Sequence, residues 1–330
     1  MKKVLVTGGA GFISLHLAKK LLESGYSVCL VDNYARGVKD SELDDVLRNP
    51  RASFYELDCL DEKLLESLPS DFSYIFHMAA IIGVRHVEER PDKVVTKNLR
   101  LLENMLDVAE RQNDLERFLF ASTSEVYAGT LENFQLPIPT PESTPLALTD
   151  LGRPRTSYML SKISGEALCH YRSVPTTIFR PHNIYGPRMG TAHVVPGQLQ
   201  KAHENPVSSK IPVPSAEQTR TFCFIDDAVE MLVRMMESQS CRGETLNLGN
   251  QGPEVTIEEL VKVCHKVVGK KQTVLPQASV PGSPQRRCPD MSRTISLIGY
   301  TPTVSLEDGV MRTYEWYSRN VFEGSGVTAQ

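Results

Sequence analysis

Lys2-Lys3-Val4-Leu5-Val6-Thr7-Gly8-Gly9-Ala10-Gly11-Phe12-Ile13 opens the chain as an apolar run of β character that breaks into a glycine turn and then into an amphipathic helix ending at Gly25. This is the pattern of a nucleotide-binding βα turn. Glycines let the backbone turn tightly and approach a pyrophosphate, and the free N–H groups and positive dipole at the next helix's N-terminus favour its charge. Gly8, Gly11, Phe12 and Ile13 are the candidate contacts. A second strand, Ser27 to Val31, ends at Asp32, the spacing at which a carboxylate meets adenosine ribose hydroxyls. Its charge would repel a 2′-phosphate, so the expected cofactor is NAD rather than NADP. A glycine-rich turn alone also fits a plain strand-to-helix turn. The ensemble of strand, turn, helix, strand and Asp argues for the cofactor. Ser14 stands at the third small position, where glycine is usual, and predicts slightly looser helix-to-strand packing with binding retained.

Strand-like runs recur at Ser53 to Leu57, Tyr74 to His77, Arg117 to Ala121 and Thr176 to Phe179, with helical segments between them, the longest being Arg90 to Gln112 and Ser157 to Arg172. Such alternation predicts an α/β fold, a Rossmann-type doubly wound parallel sheet covered on both faces. Beyond Pro181 proline-rich loops with short elements take over, notably at Pro206 to Pro214 and Pro276 to Pro289. The expected organisation is an NAD-binding part over 1–180 and a smaller C-terminal α/β substrate-binding part over 181–330. Arg220 to Phe224 and Thr245 to Leu248 read as strands that return to the main body. The Gly/Ser/Thr tail after Phe322 reads as disordered.

The 330 residues carry a formal charge of -4 with no basic stripe interleaved with aromatics, so no nucleic-acid partner is expected. Seven cysteines without a CxxC pair indicate neither a disulfide framework nor a metal site. Cys264-His265 reads as a core thiol beside an exposed ring. No signal peptide and no membrane-spanning run is visible, which leads to an expectation of a cytoplasmic protein without a membrane partner.

Tyr158 and Lys162 lie four residues apart on one face of a helix. A lysine cation beside a tyrosine, with a positive nicotinamide ring, favours the phenolate and moves the phenol toward working pH. An isolated Y-x-x-x-K is more simply a surface pair, and the dinucleotide site reverses that balance. Phe120-Ala121-Ser122-Thr123-Ser124-Glu125-Val126-Tyr127 follows an apolar strand, so its hydroxyls sit at a carboxyl end of the sheet, the ligand side of such folds. Glu125 also fits a helix-start acid facing water.

Taken together, Thr7 to Ile13, Asp32-Asn33, Asp58, His77-Met78-Ala79-Ala80, Asn98, Thr123 to Tyr127, Tyr158 with Lys162, Arg180 to Arg188, and Pro284 to Asp290 resemble the extended short-chain dehydrogenase/reductases that modify nucleotide sugars. The resemblance implies C4 oxidation of the sugar, with Tyr158 taking the hydroxyl proton, Thr123 assisting, and Lys162 holding the nicotinamide ribose. It places Asn33, Asp58, Ala79, Ala80 and Asn98 along NAD, and Asn183, Arg188, Arg220 and Arg287 on the nucleotide diphosphate or sugar, with about one of the three arginines expected to be structural. The Thr123-Ser124-Glu125 triplet and the segment Pro284 to Asp308 are similar to UDP-glucuronate decarboxylases, and Gly83-Val84-Arg85 to UDP-glucuronate 4-epimerases. Both comparisons imply an acidic, UDP-linked sugar with Arg85, Arg188 or Arg220 on its carboxylate. Decarboxylation leads, with 4-epimerisation and 4,6-dehydration as alternatives. A silent NAD-binding sensor or scaffold is a further one. A homodimer through the two long helices is also implied. His182 reads either as a packed ring with one satisfied nitrogen or as a proton carrier. Leu131 to Arg155, with five prolines, reads either as a lid or as a solvated loop.

Overall fold

The computed structural model describes residues 1–279 and 284–323, with the backbone alone at positions 84 and 85. The tail from 324 onward and the middle of the Pro276 to Pro289 stretch lie outside the described residues, as does the side chain of Arg85.

Six strands run Lys3–Thr7 (β1), Ser27–Asp32 (β2), Ala52–Glu56 (β3), Tyr74–His77 (β4), Arg117–Ala121 (β5) and Thr176–Pro181 (β6). The strand Thr245–Leu248 returns from the C-terminal half and joins the edge beside β6. The sheet then reads Thr245–Leu248, β6, β5, β4, β1, β2, β3, with every pairing parallel. This is the classic doubly wound order with one added strand, and its direction reverses between β1 and β4, where ligands bind.

Alternation along each strand divides the core. Val4, Val6, Leu30, Phe76, Leu119 and Phe179 face one layer, in which α1 (Phe12–Glu23) packs against the helix Ile225–Glu237. Leu5, Val31, Ile75, Phe118, Phe120 and Ile178 face the other, beneath the helices Pro91–Glu110 and Thr156–Tyr171. Each such side chain, fully buried, contributes about 1.5–3 kcal/mol.

Two expectations change here. Arg220 to Phe224 does not return to the main sheet, because the run splits into Thr219–Arg220, flanked by Val255–Thr256 and Arg286–Arg287, and Cys223–Phe224, paired with Ile184–Tyr185. His265 is buried rather than exposed, because the chain leaving the helix Ile257–Val268 folds back over its ring as far as Gln272. Cys264 is in the core as expected, and all seven cysteines are free and buried. Among the described residues no helix is long and apolar enough to cross a membrane.

Candidate active site

A cleft of about 970 Å³ opens where β1 to β6 end, at the upper limit of small-molecule sites. Its floor is the glycine turn. Gly8 has φ +67°, and a Cβ there would lie 3.1 Å from the Ala79 nitrogen, so only glycine lets the turn close on the end of β4. Gly11 caps α1 with no side chain over its end and no acid in the first turn, which leaves the first N–H groups, at Phe12 and Ile13, open to the cleft. Ser14 is buried.

Asp32 ends β2 with both carboxylate oxygens on backbone donors, Ala10 N at 3.0 Å and Tyr34 N at 2.7 Å. Those bonds aim the carboxylate into the cleft, while burial raises its pKa. Asn33 accepts from Ala35 N and Asp58 from Leu60 N, so both use their side chains to shape cleft-lining loops. Ala79 and Ala80 line the wall. Asn98 does not: its amide accepts from Ile81 N (2.7 Å) and donates to Ile81 O (3.1 Å) and Ser161 Oγ (3.2 Å), so it braces that wall from behind. Thr7, unforeseen as a brace, accepts from Met78 N and Ala79 N and so donates to His77 Nδ1.

Tyr158 and Lys162 share a face of their helix and both line the cleft. The expected tuning by lysine is not what the geometry gives. Lys162 Nζ donates to Ala121 O at 2.7 Å and sits 5.8 Å from the Tyr158 ring centre, and burial pushes its own pKa down to about 8. The Tyr158 pKa is raised, first by burial and then by the charge of Glu125, and is only partly restored by a hydrogen bond from Thr123 and the charge of Arg36. The Lys162 ammonium points at a carbonyl and is not among the charges acting on the phenol. Thr123 caps the turn Ser124–Tyr127 and accepts from Glu125 N, which fixes its hydroxyl at the phenol. Ser122 and Ser124 line the cleft beside it, the Ser122 hydroxyl donating to Glu166 at 2.5 Å.

On the opposite wall Arg287 donates to Glu125 at 2.8 Å, and its charge holds the carboxyl below its usual range. Arg220 and Arg287 are registered partners on neighbouring strands. The Arg220 charge adds to that of Arg287 in lowering Glu125, and burial together with the Arg287 charge lowers Arg220 to about 10. Arg220 bonds Gln218 and Thr219 O and lies behind the cleft lining. Asn183, in the left-handed region at φ 44°, lines the cleft and donates to Thr221 O.

Arg188 is the structural arginine. It is buried and clamps Asp40 (2.7 Å), Ala10 O (2.8 Å) and Val38 O (2.8 Å), so it locks the loop after β2 onto the glycine turn and has no donor pair left for a sugar. Arg36 and Gly37 in that loop, and Trp316, also line the cleft and were not foreseen, although Arg36 stands four residues after Asp32.

Beneath the site lies a buried polar chain. Arg180 donates two hydrogen bonds to Glu166 (2.9 and 2.6 Å) and a third to Tyr127 OH, which donates to Asn247 Oδ1. Asn247 Nδ2 donates to Thr140 O and Asp290 O, so its Oδ1 is an acceptor, and His182 Nε2 at 3.0 Å must carry the proton. Burial first, then the Arg287 charge, lowers His182 to about 3. It is a neutral packed ring. The Leu131 to Arg155 stretch lines no part of the cleft; it is a largely exposed loop, pinned to the body of the protein at a few points. Thr140 bridges to Cys288 O and Asp290 N, Glu142 accepts from Asn247 N, and Thr130 holds Pro145 O. Glu166, one helical turn after Lys162, was the sequence signal for this network.

The glycine cradle, the backbone-aimed Asp32 and the open first turn of α1 fit a dinucleotide. The NAD dependent epimerase/dehydratase family matches residues 4–249. The chain is 30% identical over 328 residues to a UDP-N-acetyl-alpha-D-glucosaminuronate decarboxylase of Bacillus cytotoxicus, covering 96% of this chain and 98% of that protein. It is 32% identical to UDP-glucuronic acid decarboxylase 2 of Arabidopsis thaliana, covering 99% of this chain and 72% of that one. Among solved structures, a UDP-glucuronic acid 4-epimerase of Bacillus cereus in complex with UDP-glucuronic acid and NAD superposes with a TM-score of 0.79 at 29% identity, over 96% and 99% of the two chains. With the fold, the cleft and these matches in agreement, the chain belongs to the NAD dependent epimerase/dehydratase family and is an NAD-dependent enzyme that modifies nucleotide sugars.

Proposed function

We propose that the chain oxidises a UDP-linked uronate at C4 and releases its C6 carboxylate as carbon dioxide. The observation that carries this reading is the Arg287–Glu125 pair standing in the same cleft as Thr123 and Tyr158. NAD, when bound, supplies the hydride acceptor at C4 and a positive ring near the phenol. Tyr158 takes the proton of the 4-hydroxyl, and Thr123, already bonded to the phenol, holds that oxygen in line. The resulting ketone lets the C5–C6 bond break, because the electron pair left by carbon dioxide spreads onto the C4 oxygen. The Tyr158 and Thr123 hydroxyls stabilise that oxyanion. A proton returns to C5 and the hydride returns to C4, so the net change is loss of carbon dioxide and gain of one proton. Arg287 is the cation for the C6 carboxylate or the adjoining diphosphate, a role suited to forked guanidinium donors, and Arg220 adds its charge from behind the lining. Glu125 stays ionised and keeps Arg287 at the cleft.

The same reading makes 181–330, apart from the returning strand, the sugar-nucleotide half. It pairs two copies through the helices Pro91–Glu110 and Thr156–Tyr171, next to which Leu151 is exposed. It also has the protein acting in the cytosol, where buried thiols stay reduced.

The test is proton NMR of the protein with UDP-glucuronate and NAD+. A pentose spectrum supports decarboxylation. The galacturonate isomer would make the enzyme a 4-epimerase. No change in this substrate, with turnover of neutral nucleotide hexoses, would reject the uronate.

A further inference from the structure

We propose that Arg36 is the side-chain counter-charge for the pyrophosphate of the bound dinucleotide. The glycine turn offers that group only backbone donors and a helix end. Arg36 lines the same cleft from the loop that follows β2. The base of its arm is fixed at three points. Tyr34, at φ 55°, stacks on Phe54 with ring centres 5.2 Å apart. A Cβ on Gly37 would come within 2.6 Å of Ala10 Cβ and 2.9 Å of an Asp32 oxygen, so the loop lies directly on the turn there. Asp40 caps the next helix and is held by Arg188.

The guanidinium itself makes no hydrogen bond or ion pair among the described residues. Two carboxylates lie within four positions of it, and it pairs with neither. Asp40 is taken by Arg188, and Asp32 by two backbone amides. The charge of Arg36 is felt instead by Tyr158 and by His193, on the far side of the cleft. It lines the same cleft as Asp32, at the ribose end, and Tyr158, at the hydride-transfer end, on a loop that rests against the glycine turn. The middle of a dinucleotide stretched between those two landmarks is its pyrophosphate. An exposed arginine with no internal partner, on a fixed base beside the glycine turn, is built for a dianionic ligand rather than for stability.

The experiment compares the full-length wild type with Arg36→Gln and Arg36→Lys by isothermal titration with NAD+, ADP, adenosine and UDP. No turnover is involved, so the outcome is independent of which sugar reaction the enzyme performs. Losing a charge-assisted contact should weaken NAD+ and ADP by about 10- to 100-fold in Arg36→Gln. Adenosine and UDP should bind as to the wild type, and Arg36→Lys should recover part of the loss in low salt. Unchanged NAD+ affinity would overturn the proposal. So would weakened UDP with NAD+ unchanged, which would assign Arg36 to the sugar nucleotide's diphosphate. An equal loss for adenosine, which has no phosphate, would show a general disturbance of the cleft and would also reject it. Arg36 is exposed, so the variants are expected to unfold at the wild-type temperature.

Discussion

Replacing Arg287 by glutamine separates what the Glu125 pair does for stability from what it does for chemistry. The side chains are 21% and 41% exposed, so solvent screens the pair and its contribution to folding is about 1 kcal/mol or less. Glutamine keeps the length and one donor group, and leaves Glu125 close enough to water not to become a buried orphan charge. Toward an anionic substrate the arithmetic differs. Removing a close charge partner inside a ligand interface costs about 2–5 kcal/mol. At 1.36 kcal/mol per tenfold, that is about 30-fold to several thousand-fold in kcat/KM. The assay is NMR-monitored turnover of UDP-glucuronate beside urea unfolding of both proteins. The expected result is a large fall in kcat/KM with an unfolding midpoint almost unmoved. A variant within about threefold of wild-type kcat/KM, or one that loses several kcal/mol of stability instead, would refute the assignment, since threefold corresponds to only about 0.6 kcal/mol.

Tyr158→Phe should abolish turnover, by at least about 100-fold, while NAD+ binding and the unfolding midpoint stay close to wild type; full activity would sink the proton-transfer role. Glu166→Gln strips the charge partner from Arg180 in a pair only 5% and 7% exposed, so urea unfolding should show a loss of about 3–5 kcal/mol, and a loss under 1 kcal/mol would contradict the buried network. His16, His77 and His182 are held neutral by burial, at about 4, 3 and 3 against 6.5 in the unfolded chain. Their contribution is complete above 6.5. As pH falls from 6.5 toward those values the unfolded state binds the extra protons, and stability drops by up to about 1.4 kcal/mol per pH unit for each ring. Denaturant midpoints between pH 7 and 4 should show this slope, and His182→Phe should reduce it by one proton without altering the activity profile between pH 6 and 8. An unchanged slope in that variant would mean that the ring is not buried neutral.

The opening strand, the glycine turn and Asp32 were legible in the sequence because each is a local requirement. A positive φ at Gly8, a bare helix end at Gly11 and a carboxylate at the end of a strand are settled by a few neighbouring residues. Strand alternation fixed the parallel sheet in the same way, since apolar runs of this length bury on both faces. Tyr158 and Lys162 were legible as neighbours on one helical face. What Lys162 does with its ammonium was not, because its partner, Ala121 O, comes from a strand 41 residues away. The three arginines make the same point. As letters they are equivalent guanidiniums, yet Arg188 meets Asp40 across 148 residues and becomes a clamp, while Arg287 meets Glu125 across 162 and faces the ligand. The proline-rich stretch from Leu131 to Arg155 had no local periodicity to read, and its anchors on Cys288, Asp290 and Asn247 lie more than 100 residues on. By itself, then, the sequence determined the sheet, the glycine turn with its carboxylate, and the placing of Tyr158 and Lys162 on one helical face, all of which follow from local spacing. Only the tertiary structure decided which charges pair, which rings are neutral and which arginine is left free, because desolvation and Coulomb energy depend on distances through space that chain spacing does not set.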